Sequence, residues 1–149
     1  MKRIYIDRQL CEACKGCTLA CMAKSNNTDI DSLNLSDTTN QSANLVEQSN
    51  QGELSPLFCR HCDHPECVEA CMSGALTKDQ ESGIVSLDQD RCAGCWMCVM
   101  SCSYGMIKQD TKSNVAFKCD LCKDREESAC IENCPTGAIQ LIEVEEGRV

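Results

Sequence analysis

Sixteen of the 149 residues are cysteine, and they fall into four groups of four with none left over. Cys11, Cys14, Cys17 and Cys21 follow C-x2-C-x2-C-x3-C, and Cys92, Cys95, Cys98 and Cys102 repeat that spacing. Cys59, Cys62, Cys67 and Cys71 have four residues between the second and third cysteine, and Cys119, Cys122, Cys130 and Cys134 have seven. Thiolates are soft ligands suited to iron–sulfur clusters and zinc. Three of them on one tight loop can hold three corners of an iron–sulfide cube, with a fourth sulfur on the helix that follows. Such a set supports one-electron transfer, with no bond made or broken.

Other uses of sixteen thiols fit less well. A disulfide framework suits small secreted chains with an even cysteine count, but residues 1–10 hold no apolar run of the signal-peptide kind. Zinc takes four thiolates from two C-x2-C knuckles. Here a third cysteine at x2 and a fourth at x3 depart from that pattern, which leaves a zinc-binding interaction module as the alternative from another class. No cysteine pair is followed by histidine in the C-x-x-C-H arrangement, so covalent c-type haem is excluded. The spacing is the bacterial ferredoxin signature, in which the fourth cysteine of one run serves the other cluster, so quartets work in pairs. Only the last quartet keeps the usual proline after its final cysteine, Pro135; Met22, Met72 and Ser103 stand at the other three places.

Composition points to a chain folded around its cofactors. Aromatics make up 3% of residues, and the 42% hydrophobic share includes all the cysteines, which leaves little apolar surface for a conventional core. Metal binding and folding are then one event, and so many thiols persist only in a reducing compartment, which predicts a cytoplasmic location. The formal net charge is −9, and four thiolate-held cubes at about −2 each would add about −8. So acidic a chain has no basic patch for phosphates, which excludes nucleic acid, and predicts protein partners with basic docking faces. No apolar stretch approaches the length of a membrane span.

The elements that must position these thiols are short. Alternation predicts a strand at 4–6, a helix at 18–24 carrying Cys21, a turn at 78–83, strands at 84–87 and 115–117, and a closing strand at 138–144. Residues 25–56 change character: Asn, Gln and Ser dominate, Lys and Arg are absent, and there are five acidic residues. That stretch is expected as a polar, acidic insertion or loop, a solvated excursion with sparse Leu33, Leu35, Leu45, Val46 and Leu54 available to pin it. An internal repeat, C-x2-G-A-[LI], occurs at Cys71–Leu76 and again at Cys134–Ile139. Its Gly74 and Gly137 would turn the chain from the cysteine helix into the next strand.

The order of the quartets, the element Cys59-Arg60-His61-Cys62-Asp63-His64-Pro65-Glu66-Cys67, and Cys92-Ala93-Gly94-Cys95-Trp96-Met97-Cys98 resemble the four-cluster iron–sulfur subunits of anaerobic oxidoreductases. Those include the electron-transfer subunits of dimethyl-sulfoxide reductase, formate dehydrogenase and formate hydrogenlyase. The compact length, the opening residues 1–7 and the run G-C-W-M-C-V-M-S-C resemble most the ferredoxin-like partner of nickel carbon-monoxide dehydrogenase. The resemblance covers nearly the whole chain outside 25–56. It implies an α+β fold of two interleaved dicluster ferredoxin-like units with pseudo-twofold symmetry. The outer unit would comprise 1–24 plus 115–149 and the inner unit 57–114.

The resemblance also implies a ligand pairing that spacing alone leaves open. The outer quartets would exchange fourth cysteines, as would the inner ones. One [4Fe–4S] cluster would take Cys11, Cys14, Cys17 and Cys134, and a second Cys21, Cys119, Cys122 and Cys130. A third would take Cys59, Cys62, Cys67 and Cys102, and a fourth Cys71, Cys92, Cys95 and Cys98. The chain would relay electrons from a catalytic oxidoreductase, foremost carbon-monoxide dehydrogenase, to a hydrogenase or flavin oxidoreductase, and would not itself be an enzyme. A formate dehydrogenase or hydrogenase complex is the alternative in the same class. No G-x-G-x-x-G or G-x4-G-K-[ST] occurs, so no nucleotide site is expected. Lys15, Lys118 and Lys123 flank cysteines and could favour the reduced state of a cluster; solvated surface lysines are the expectation weighed above that. His61 and His64 are expected to structure their loop, Trp96 to shield a cluster, and Met97, Met100 and Met106 to pack.

Overall fold

Each cysteine quartet is followed by a strand that pairs antiparallel with the strand leading into the next quartet. The computed structural model describes residues 1–110 and 112–145. Strand β1 (Lys2–Ile6) leads into the first quartet, whose last two cysteines lie on helix α1 (Gly16–Ser25). A hairpin of β2 (Asn44–Gln48) and β3 (Leu54–Phe58) leads to the second quartet and α2 (Glu66–Glu69). The hairpin of β4 (Leu76–Lys78) and β5 (Val85–Leu87) precedes the third quartet and α3 (Met97–Ser101). Next, β6 (Lys108–Asp110) and β7 (Val115–Phe117) precede the fourth quartet and α4 (Ala129–Glu132). Finally β8 (Ile139–Glu143) returns to β1, with Ile6 opposite Ile139 and Lys2 opposite Glu143. The pairings among the described residues therefore close into a ring.

The hairpins are set by turn chemistry. In the β4–β5 turn, Asp79 Oδ1 accepts from the Ser82 amide at 2.7 Å and the Ser82 hydroxyl at 2.6 Å. Gly83 then takes φ +70°, and a Cβ there would meet the Met1 side chain at 2.7 Å. Asp110 does the equivalent work before β7, accepting from the Lys112 amide at 2.9 Å. A carboxylate bonding to the backbone two or three residues on is the usual local substitute for a ladder bond.

Two small cores result, one inside each half of the ring. Leu76, Val85, Ile107 and Ala116 pack with Cys98, and Val46 and Ile139 pack with Cys17 and Cys130. In both, cysteines form part of the packing, and small residues line the rest: Ala75 and Ala138, from the repeated Gly-Ala, are each 1% exposed. Helix α1 packs on α4 and α2 on α3. The α+β class expected from the sequence is the class adopted.

Residues 25–56 require correction. They are no uniform loop: a 3-10 turn occupies Ile30–Ser32 and the β2–β3 hairpin runs to Phe58. That hairpin stands where β4–β5 and β6–β7 stand after the later quartets. Val46 is 3% exposed and Ser42, Ala43 and Asn44 are buried, whereas Leu35 is 70% exposed. Sparse hydrophobics hid the strand because β2 buries one side only. The expected outer segment 115–149 runs past residue 145, so its last four positions lie outside the described residues, as does position 111 of the inner segment.

The two halves are stapled by buried charge. Arg3 Nη2 of β1 bonds Asp63 Oδ1 at 2.7 Å, and Lys78 Nζ of β4 lies 3.8 Å from the same oxygen. Lys78 also donates to the Asp63 carbonyl at 2.9 Å.

Candidate metal centres

The cysteine loops share one backbone device. The residue before the second cysteine has positive φ in all four: Ala13 at 53°, His61 at 45°, Gly94 at 63° and Leu121 at 56°. Lys15 and Trp96, which follow the second cysteine of the first and third quartets, match at 60° and 63° and cap α1 and α3. Left-handed residues within a tight loop turn successive amides to one side, the nest arrangement that receives anions. A non-glycine residue there costs about 1–2 kcal/mol, and such strain concentrates at functional sites. At Gly94 no side chain fits, since a Cβ would lie 2.5 Å from the Asn114 carbonyl oxygen.

Amides also reach the sulfurs directly. Leu76, Ala116, Met106 and Leu121 donate to Cys71, Cys92, Cys102 and Cys119, each at 3.4 Å. The hydroxyls of Ser73 and Thr136 sit 3.6 and 3.7 Å from the sulfurs of Cys71 and Cys134. Burial alone would raise both thiols, but the donors outweigh it and hold them below the ordinary value. Ser73 and Thr136 were overlooked in the sequence, although the repeat reads C-x-[ST]-G-A at both places. Its glycines turn as expected, with φ +64° at Gly74 and +65° at Gly137.

The thiols gather across quartets. One cleft is lined by Cys11, Cys14, Cys17 and Cys134, and another by Cys21, Cys119, Cys122 and Cys130. The inner thiols pack in one core, with Cys67, Cys71, Cys92 and Cys102 against buried Cys98, and they act on one another's ionisation. Cys67 is pushed up to about 11 by burial, which Lys118 partly offsets and Cys59, Cys102 and Cys62 reinforce. Cys98 is raised by burial, then by Cys71, Cys92 and Cys95. Links between groups also appear. Cys130 is pushed up to about 12 by burial, then by Cys122, Cys21 and Cys17, and Cys119 is raised well above its usual range by burial, then by Cys59. Of the sixteen cysteines, only Cys14 and Cys95 are exposed.

The 42–46 segment belongs to this site. The Ala43 amide donates to Cys21 Sγ at 3.2 Å, and Asn44 Nδ2 donates to the Cys17 carbonyl at 3.2 Å. Pro56 and Phe58 line the cleft of Cys11 and Cys134. Ala43→Pro removes one amide-to-sulfur bond just before β2, where proline is tolerated. Losing a bond of about 1 kcal/mol should shift one cluster couple toward the oxidised form by roughly fivefold. Potentiometric titration of the anaerobic protein checks it, and an unmoved set of couples would refute it.

His61 is 1% exposed, and its Nδ1 accepts the Val85 amide at 2.9 Å, so the neutral ring carries its proton on Nε2. Burial, followed by the Lys118 and Arg3 cations, lowers its pKa to about 3. It structures its loop as expected, while His64 is exposed. Lys15 and Lys123 are exposed as expected, but Lys118 is not: at 7% exposure it is a buried cation. Trp96 is half-buried. Met106 packs at 4% exposure, whereas Met97 and Met100, at 41% and 81%, do not.

Four thiols per group, loops with in-turned amides and buried sulfurs fit a compact anionic iron–sulfide cube. Residues 50–144 match the family described as 4Fe-4S dicluster domain. The chain is 30% identical to the iron–sulfur subunit of nitrate-inducible formate dehydrogenase of Escherichia coli, over 97% of this chain and 57% of that subunit's length. It is 33% identical to the Escherichia coli chain YnfG, assigned to anaerobic dimethyl sulfoxide reductase, over 97% of this chain and 74% of that one. Among solved structures it resembles a chain of the active-site complex BamBC of benzoyl-coenzyme A reductase with benzoyl-CoA. That match has a TM-score of 0.52 and 25% identity, and covers 99% of this chain and 83% of that one.

Proposed function

Because the chain belongs to the 4Fe-4S dicluster family, and its sixteen cysteines provide for four [4Fe–4S] clusters, we propose that it relays single electrons between two protein partners. The clusters supply the one-electron capacity when bound. The chain's own residues hold them, space them and keep water from all but the ends. Ligand sets follow the pairing given above: Cys11, Cys14, Cys17 with Cys134; Cys119, Cys122, Cys130 with Cys21; Cys59, Cys62, Cys67 with Cys102; Cys92, Cys95, Cys98 with Cys71. The outer unit is 1–24 with 115–149 and the inner unit is 57–114.

One observation carries the reading. A linear order of the four groups is supported by three contacts: Cys17 and Cys130 share one core, Cys59 acts on Cys119, and Cys67 and Cys102 pack with Cys98 in the other core. The exposed Cys14 and Cys95 then fall in the first and last groups. A line that is buried in its middle and open at both ends is the geometry of a conduit. Among the described residues no helix is long and apolar enough to cross a membrane.

The donor we propose is a nickel carbon-monoxide dehydrogenase, on the residues of the Gly94–Cys102 run, with a hydrogenase or flavin oxidoreductase as acceptor. A second reading, a formate dehydrogenase, is favoured by the 30% identity over 97% of the chain. Anaerobic purification from the native cell tests both: about sixteen iron and about sixteen sulfide per chain are expected, together with one of these enzymes. A colourless protein without labile sulfide, or four zinc ions, would overturn the relay.

A further inference from the structure

A buried cation lies between the two central thiol groups, and no ligand set requires it. Lys118 Nζ donates to the carbonyls of Val85 and Cys119. Val85 belongs to β5 in the inner half, while Cys119 is the first cysteine of the outer group that lines its cleft with Cys21. The amide of Val85 is held by His61 Nδ1, so both polar groups of this residue are engaged and the lysine's acceptor is fixed in place. Among the described residues Lys118 has no ion-pair partner, whereas Arg3, Lys24 and Lys78 are matched by carboxylates. Its charge favours the thiolate form of both Cys119 and Cys67. Three of its features thus coincide: burial, a pair of carbonyl acceptors, and a place that joins an inner strand to an outer thiol loop.

We propose that Lys118 sets the potentials of the two central clusters, favouring the electron on the sites of Cys119 and Cys67 over the terminal sites of Cys14 and Cys95. An added electron is a negative charge, and a cation shielded from water stabilises it more than a solvated one does. Lys123, which follows Cys122 in sequence, is exposed and should have no such effect. The biased process is one-electron exchange between neighbouring sites, one oxidised as the other is reduced, with no proton moved and no bond changed. This proposal rests on the relay reading above.

The test compares Lys118→Met, Lys118→Gln, Lys118→Arg and Lys123→Met with the unaltered protein. Each is purified anaerobically with its clusters and titrated with dithionite under electron paramagnetic resonance. In the neutral Lys118 variants two of the four couples should move toward the oxidised form by roughly tenfold, about 59 mV for one electron, while the other two stay. Lys118→Arg should restore them and Lys123→Met should move none. Unmoved couples in loaded protein, an equal shift of all four, or failure of arginine to restore them would overturn the proposal. So would cluster loss in both neutral variants with retention in Lys118→Arg, which would make the charge a folding requirement. Absence of clusters from the unaltered protein would instead end the relay reading itself.

Discussion

Alanine at position 134 is expected to remove the cluster held by the N-terminal loop while leaving intact the one bound by the rest of its own quartet. Cys134 shares a cleft with Cys11, Cys14 and Cys17, whereas Cys119, Cys122 and Cys130 share theirs with Cys21. The loss should be about four iron of about sixteen per chain. Pairing the variant with others identifies the site. Cys134→Ala with Cys11→Ala should lose no more iron than either alone, because both empty one position. Cys134→Ala with Cys119→Ala should lose twice as much, since separate sites add. The reverse pattern would show that each quartet serves itself.

Asp63→Ala is expected to have the largest effect on stability of any change that spares the cysteines. Its carboxylate faces Arg3 and Lys78, whose side chains are 6% and 8% exposed. Removing the shared anion leaves two buried cations with only carbonyl acceptors, those of Lys2 and Gly83 for Arg3 and of residue 63 for Lys78, and breaking a buried pair costs about 3–5 kcal/mol. The site has little slack, as Arg3 Nε already lacks a hydrogen-bond partner. Because Arg3 lies on β1 and Asp63 in the second quartet's loop, the break should loosen one half from the other. Anaerobic urea denaturation followed by cluster absorbance measures it. A decrease below about 1 kcal/mol, the range of a surface pair, would show that the pair is not an effective staple. Asp63→Asn should fall between.

The metal chemistry was legible in the sequence because ligand spacing is a local property. Cysteines two and three residues apart report loop geometry directly, and the alternation at 115–117 and the Gly-Ala repeat report turns and strands of the same reach. What the sequence hid depends on distant contacts. Strand β6 left no signal because Lys108, Gln109 and Asp110 carry no apolar alternation; it forms because Lys108 lies opposite Phe117 and Asp110 opposite Val115. The β2–β3 hairpin was masked by its polar flanks. Lys118 reads as a surface lysine because its neighbours in sequence look like those of Lys123; only tertiary structure places a β5 carbonyl over it. The positive φ at His61 and Leu121 was equally silent, since neither residue type announces it as glycine does at Gly94.

The pairing of β1 with β8 constrains how such a molecule is made. A ribosome that has just released residues 2–6 must extend the chain to residue 143 before their partner exists. The hairpins at 76–87 and 108–117 close on themselves as soon as they emerge, and short loops close at lower entropic cost than long ones. Synthesis therefore runs from a middle that can mature early to two flanking strands that must wait for each other, leaving the thiols at 11–21 in need of protection from oxygen until residue 143 has been made.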